Sequence, residues 1–125
     1  VGTVITLLAV AAAAAVGAVA RYVLDQYVQY RSPGLFPRGI WLVNITGAFV
    51  LGLAVGLGAR HGLPPHIVTI LGAGFCGAYT TFSTFSYDLV HLCEKGQVRE
   101  SLWYAGASLA AGLAAAAAGL TLGAL

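Results

Sequence analysis

The chain has 125 residues, of which 59% are hydrophobic and 8% charged, and its mean hydropathy is +0.88. A water-soluble domain carries about 25% charged residues, so the composition excludes a soluble enzyme or binding domain and indicates an integral membrane protein. A net charge of +2 also argues against a nucleic-acid partner.

Four apolar segments follow one another, at about 2–29, 39–59, 66–92 and 101–124. Each meets the roughly 20 residues that an α-helix needs to cross a hydrocarbon core of about 30 Å. What remains is three short turns and no room for a soluble domain, so residues 1–125 are expected to form one all-α, four-span unit. The absence of methionine, at position 1 as elsewhere, is expected of a chain that lacks its original N-terminus.

The first segment is an alanine run ending in GAVARY. It has the length of a signal-peptide core, yet no cationic stretch precedes it, and Arg21 and Asp25 continue the helical pattern, so a spanning helix is expected. Arg21 either draws anions into a vestibule or pairs with Asp25 and reaches for the interface. The second segment carries Gly47, Gly52, Gly56 and Gly58. Of these, Gly52 and Gly56 form a GxxxG that lets helix backbones approach closely. Asn44, in its first third, is costly in an apolar helix without a partner; its NH2 either joins two helices or donates to an anion.

The third segment differs from the others. Its midpoint, if continuous helix ran from His66 to Leu92 over about 40 Å, falls at Tyr79, between glycines at 72, 74 and 77 and the string TTFST. Glycines weaken helix, and Thr80 or Thr81 is a good N-cap for a new helix beginning FSTFSYDLV. A helix broken at mid-membrane is therefore expected, with its break facing inward, because lipid cannot satisfy free N–H and C=O groups. Carbonyls ending the first half suit a cation, and amides opening the second suit an anion. The side chains favour the anion: Thr80, Thr81, Ser83, Thr84 and Ser86 offer hydroxyl donors. Phe82 and Phe85, at i and i+3, share a helical face and present positively polarised ring edges. Core packing is the competing role for both rings.

In the fourth segment Tyr104 and Ser108 stand at i and i+4, with Gly112 next along the same face. They form either a polar track or, for Tyr104 beside Trp103, part of an interfacial aromatic belt. Arg31, Arg38, Lys95 and Arg99 on one side of the membrane, against Arg60 on the other, give a modest charge bias. Cys76 and Cys93 lie about 25 Å apart along a continuous helix, too far for a disulfide. The three histidines show no metal-ligand spacing, and Asp88, Glu94 and Glu100 fall near helix ends and read as structural.

The string GAYTTFSTFSYD, with GAVARY upstream and WLVNITGAFVLG between, resembles the small bacterial fluoride channel family, Fluc (CrcB), over all four segments. The resemblance implies passive fluoride export across the bacterial inner membrane by a multi-pass, dual-topology homodimer. Two identical subunits are inserted in opposite orientations, with two pores along their interface. It maps the fluoride pathway onto Phe82, Phe85, Asn44, Tyr104, Ser108 and Arg21, to which the hydroxyls of Thr81, Ser83 and Thr84 are added on chemical grounds. It maps a structural sodium ion at the dimer centre onto the backbone carbonyls of Gly77 and Thr80. Two positions depart from the family pattern: Gly112 replaces a further hydroxyl, and Asp88 replaces a glutamate. A packed four-helix bundle has no lumen, which independently calls for a partner chain.

Three rival classes account for less of the sequence. A small multidrug-type cation/proton exporter needs a membrane-embedded carboxylate, and residues 1–24 contain none. A non-transport assembly subunit explains the alanine and glycine but not the hydroxyl cluster. An intramembrane enzyme needs a nucleophile beside a base, and no histidine or acid lies near the midpoint of the third segment.

Overall fold

The computed structural model describes residues 2–125. Helix α1 (Gly2–Arg31) and helix α2 (Arg38–Arg60) are single rods. The third segment is composite: α3 (Pro65–Thr69), a π-helical stretch Ile70–Cys76, the single turn α4 (Gly77–Tyr79), and then α5 (Phe82–Glu94). Helix α6 (Val98–Ala124) completes the chain. Among the described residues everything regular is helical, and four stretches are long and apolar enough to cross a membrane: Gly2–Arg31, Arg38–Arg60, Pro65–Glu94 and Val98–Ala124.

The four spans lie where hydropathy places them, with ends that reach further into polar sequence. Helix α6 begins three residues before its apolar run because the N–H of Ser101 already bonds the carbonyl of Gln97 at 3.0 Å. Hydropathy marks the apolar part of a helix, whereas hydrogen bonds set its ends. Helix α5 stops at Gly96, whose φ of +78° lets the N–H of Gln97 bond back to Leu92 and that of Gly96 to Cys93.

Helices α2 and α6 form the tightest crossing. A Cβ on Gly52 would strike the backbone at Ala116, and one on Gly119 would strike the backbone at Phe49. Glycines on each helix thus receive the other's main chain, as the GxxxG implies. The π-helical stretch was not visible in the sequence. Its Gly74 rests on α1, where a Cβ would come within 2.9 Å of the Val10 carbonyl oxygen.

Few side chains are fully enclosed; Val43 and Tyr104 are the largest. Leu7, Leu8, Val16, Val19 and Val23 on α1, and Leu102, Leu109 and Leu113 on α6, point outward. An exterior of this kind is stable against lipid or another apolar surface and unstable against water.

Candidate functional site

Two residues interrupt the third segment. Thr80 (φ −82°, ψ 159°) and Thr81 (φ −148°, ψ 123°) are extended, and α5 starts at Phe82. The hydrogen bonds around them show how the interruption is held. Thr80 bonds back into the preceding turn, its N–H and its hydroxyl both reaching the Cys76 carbonyl, at 2.9 and 2.8 Å. Thr81 is the N-cap of α5: its Oγ1 accepts the N–H of Thr84 at 3.1 Å and donates to the Thr84 hydroxyl at 3.2 Å.

Asn44 of α2 closes the arrangement. Its Oδ1 accepts the N–H of Thr81 at 2.8 Å, and its Nδ2 donates to the Thr81 carbonyl at 3.1 Å. Both halves of the side-chain amide are therefore spent on one backbone residue of the interruption, the helix-joining use of this amide. Gly47, one turn along α2, makes the approach possible, since a Cβ there would run into the Thr80 methyl and the Tyr79 ring.

These bonds free two carbonyls. In continuous helix the carbonyls of Gly77 and Thr80 would accept the N–H groups of Thr81 and Thr84. Those N–H groups are instead taken by Asn44 and by the Thr81 hydroxyl. The Thr80 carbonyl retains a 3.5 Å contact from Nη1 of Arg21. Oxygen donors released from helical bonding fit a small hard cation, and these are the two carbonyls onto which the family resemblance maps a sodium ion. Among the described residues no group of three His, Cys, Asp or Glu side chains comes together to hold a metal ion.

A groove of about 470 Å³ opens beside the interruption. Its lining includes Asn44, Gly77, Thr80, Thr81, Phe82, Phe85 and Ser108, and no charged residue. Phe82 projects with 79% of its surface exposed, and its ring lies 5.8 Å from that of Phe85. Ser108 brings a hydroxyl that is buried and without any partner. An uncharged concavity with an unengaged donor and two ring edges can take a small anion without trapping it at a fixed positive charge.

The remaining expected residues lie around this centre. Tyr104 is fully buried behind Phe85, with ring centroids 5.1 Å apart, so it does not belong to an interfacial belt; the exposed Trp103 suits one. The Tyr104 hydroxyl donates to Oδ2 of Asp88 at 3.3 Å, which gives Asp88 a place beside the ring cluster. Arg21 reaches the Thr80 carbonyl, while the Asp25 carboxylate packs on the backbone of Gly39. Thr84 serves the cap, and the exposed Ser83 is outside the groove. Sequence reading passed over Phe36, whose ring meets both Tyr104 and Trp41. Its position in the proline-flanked connection between α1 and α2 carries no helical periodicity that would have marked it.

The fold and groove define a multi-pass helical membrane protein built around an interrupted third span and a neutral, donor-lined cleft. Residues 8–120 match the family model described as CrcB-like protein, Camphor Resistance (CrcB), and the chain belongs to that family. It is 49% identical over 123 residues to fluoride-specific ion channel FluC 1 of Leifsonia xyli subsp. xyli, covering 98% of this chain and 90% of the relative. It is 48% identical over 113 residues to fluoride-specific ion channel FluC 1 of Streptomyces avermitilis, covering 90% and 91%. Identity to fluoride-specific ion channel FluC of Acidobacterium capsulatum is 40% over 115 residues, covering 91% and 92%.

Proposed function

We infer that this chain is a fluoride-specific ion channel of the bacterial cell membrane, giving passive export of fluoride, and not an enzyme. Near-full-length similarity to proteins named for that activity supports the reading. The observation in the molecule that carries it is the uncharged groove at the TTFSTF interruption, where Phe82, Phe85 and the unpartnered Ser108 hydroxyl converge.

Fluoride holds its water tightly. A path through the membrane must therefore offer several weak donors in series, favourable enough to enter and weak enough to leave. Hydroxyl groups and phenyl edges meet that requirement. In this reading Phe82, Phe85 and Ser108 contact the ion, Tyr104 backs the Phe85 ring along the path, Thr81 and Thr84 shape the turn that presents the rings, and Asn44 positions the turn. Arg21 contributes positive potential, and Ser83 has the weakest claim to a role.

The groove is open on one side, and a second copy in the opposite orientation would close it, giving a dual-topology homodimer with the interruption at mid-membrane. At the dimer centre the carbonyls of Gly77 and Thr80 from both subunits would hold the structural sodium ion, which supplies positive charge that neutralises the converging oxygen dipoles.

Fluoride efflux from liposomes, followed with a fluoride electrode and with chloride as control, tests the activity. Fluoride efflux without chloride efflux is expected, and no fluoride efflux from well-incorporated protein would overturn it. Cysteine labelling of loop positions tests the assembly: each loop should be found on both sides of the membrane, and labelling from one side alone would rule dual topology out.

A further inference from the structure

Two side-chain polar atoms among the described residues are buried without a hydrogen-bond partner: Oγ of Ser108 and Nε1 of Trp41. The first belongs to the groove. The second is unexplained by anything above. An indole N–H only donates, so it is satisfied by an acceptor or not at all, and a buried donor left unmet is costly.

Trp41 lies on the same stripe of α2 as Asn44, Ala48 and Leu51, at spacings of three, seven and ten residues, and those three line the groove. It is one turn nearer the start of the helix. Rings connect it to the groove without a gap. Phe82 to Phe85 is 5.8 Å, Phe85 to Tyr104 is 5.1 Å, Tyr104 to Phe36 is 5.3 Å, and Phe36 to Trp41 is 6.2 Å between centroids. The two contacts of Phe36 are edge-to-face, at 80° and 76°, and Phe36 stands outside the helices, in the connection before α2.

We propose that this ladder of rings extends the anion path from the groove to Trp41, whose indole N–H is a fluoride donor at its outer end. The proposal rests on the fluoride-channel reading above and adds a residue to it. A donor buried and unengaged within the chain is poor for water-filled conduction. It is well suited to an ion arriving without part of its shell, because no bound water has to be displaced. The indole N–H is also uncharged, so it binds weakly enough to release the ion. Phe36 packs edge-to-face with the indole and lies in the connection before α2, outside the helices.

The experiment uses the full chain in liposomes and in detergent. The sequence has two tryptophans, Trp41 and Trp103, so Trp103→Phe leaves one indole. Its N–H proton resonance is expected to move with sodium fluoride and to stay still with sodium chloride. Trp41→Phe, which keeps the aromatic bulk, is expected to lower fluoride efflux at least tenfold, with Trp103→Phe unchanged. An indole resonance that ignores fluoride overturns the proposal, whether water or a partner carbonyl satisfies the N–H, and it decides the matter even if Trp41→Phe fails to assemble. Efflux within twofold of the unaltered protein in a well-assembled Trp41→Phe overturns it equally. Absence of fluoride efflux in the unaltered protein would strike the channel reading itself; normal efflux with a silent indole strikes only this inference.

Discussion

Replacing Asn44 by alanine separates the two uses of its amide. The side chain meets both backbone groups of Thr81, accepting at 2.8 Å and donating at 3.1 Å. Alanine leaves that N–H and C=O unmet in an apolar setting, at about 1–3 kcal/mol each. Partial re-pairing lowers the sum, so a loss of about 2–4 kcal/mol is expected. The obvious rescue for the Thr81 N–H is the Gly77 carbonyl four residues back, which would rewind the interruption and swing Phe82 and Phe85 out of position. Fluoride efflux should therefore fall together with stability.

Asn44→Asp is a sharper version of the same test. A carboxylate still accepts from the Thr81 N–H, but it sets an oxygen against the Thr81 carbonyl where a donor stood. Unfolding in mixed micelles, followed as the denaturing detergent fraction rises, measures stability, and liposome efflux measures conduction. If efflux collapsed in Asn44→Ala while stability changed by less than about 0.5 kcal/mol, below the value of a single net hydrogen bond, Asn44 would be a donor to the ion and not a latch. Unchanged efflux in both variants would remove it from the mechanism altogether.

Phe82→Ile and Phe85→Ile keep apolar bulk and lose the positive ring edge, so each should abolish most fluoride efflux in a folded protein at a stability cost of roughly 1–3 kcal/mol. Phe82, largely exposed, should sit at the low end of that range, and efflux within a few-fold of the unaltered protein in both would refute the ring-edge mechanism. Thr81→Val removes the N-cap of α5 and should cost about 1 kcal/mol with a partial loss of efflux, whereas Ser83→Ala, outside the groove, should leave both nearly unchanged in the same assays. Gly119→Val drives a side chain into the α2 backbone and should destabilise by about 1–3 kcal/mol or more; unaltered detergent unfolding would show that the α2–α6 crossing has room for the side chain. Exhaustive removal of sodium should weaken assembly, read by size-exclusion chromatography, and dimers that form and conduct equally well without it would count against the carbonyl site.

What could be read in the sequence is what local chemistry determines. Spans of apolar residues, the GxxxG of α2 and the choice of a threonine as N-cap each depend on residues a few positions apart, and all reappear in the fold. The partner of Asn44 lies 37 residues away, and whether its amide faces another helix or an ion depends on how α2 is rotated about its axis. Hydropathy does not report that angle. For the same reason position alone does not place Tyr104 in belt or interior, and Asp88, an acid towards a helix end, accepts a hydrogen bond from Tyr104 that no local pattern marks. The π-helical stretch Ile70–Cys76 rests on α1 at Gly74, a contact between segments that were each read alone.

The division of labour among the polar groups bears on how an anion could pass at all. Asn44 spends its amide on Thr81, Thr84 is bound into the cap, and Arg21 contacts the Thr80 carbonyl. The strongest donors near the interruption are thus engaged in holding it. The unengaged Ser108 hydroxyl and the ring edges that remain are weak and neutral. A guanidinium in the path would stabilise fluoride by a charge-assisted bond roughly twice as strong as a neutral one, deepening the well and slowing exit. Strong groups that fix the backbone, with weak groups left to meet the ion, keep the barriers between successive positions low. On this argument, making a strong donor available in the groove should slow conduction even as it tightens binding. Ser108→Lys is the direct case: tighter fluoride binding with slower efflux is expected, and faster efflux would show that the path is limited by too little attraction.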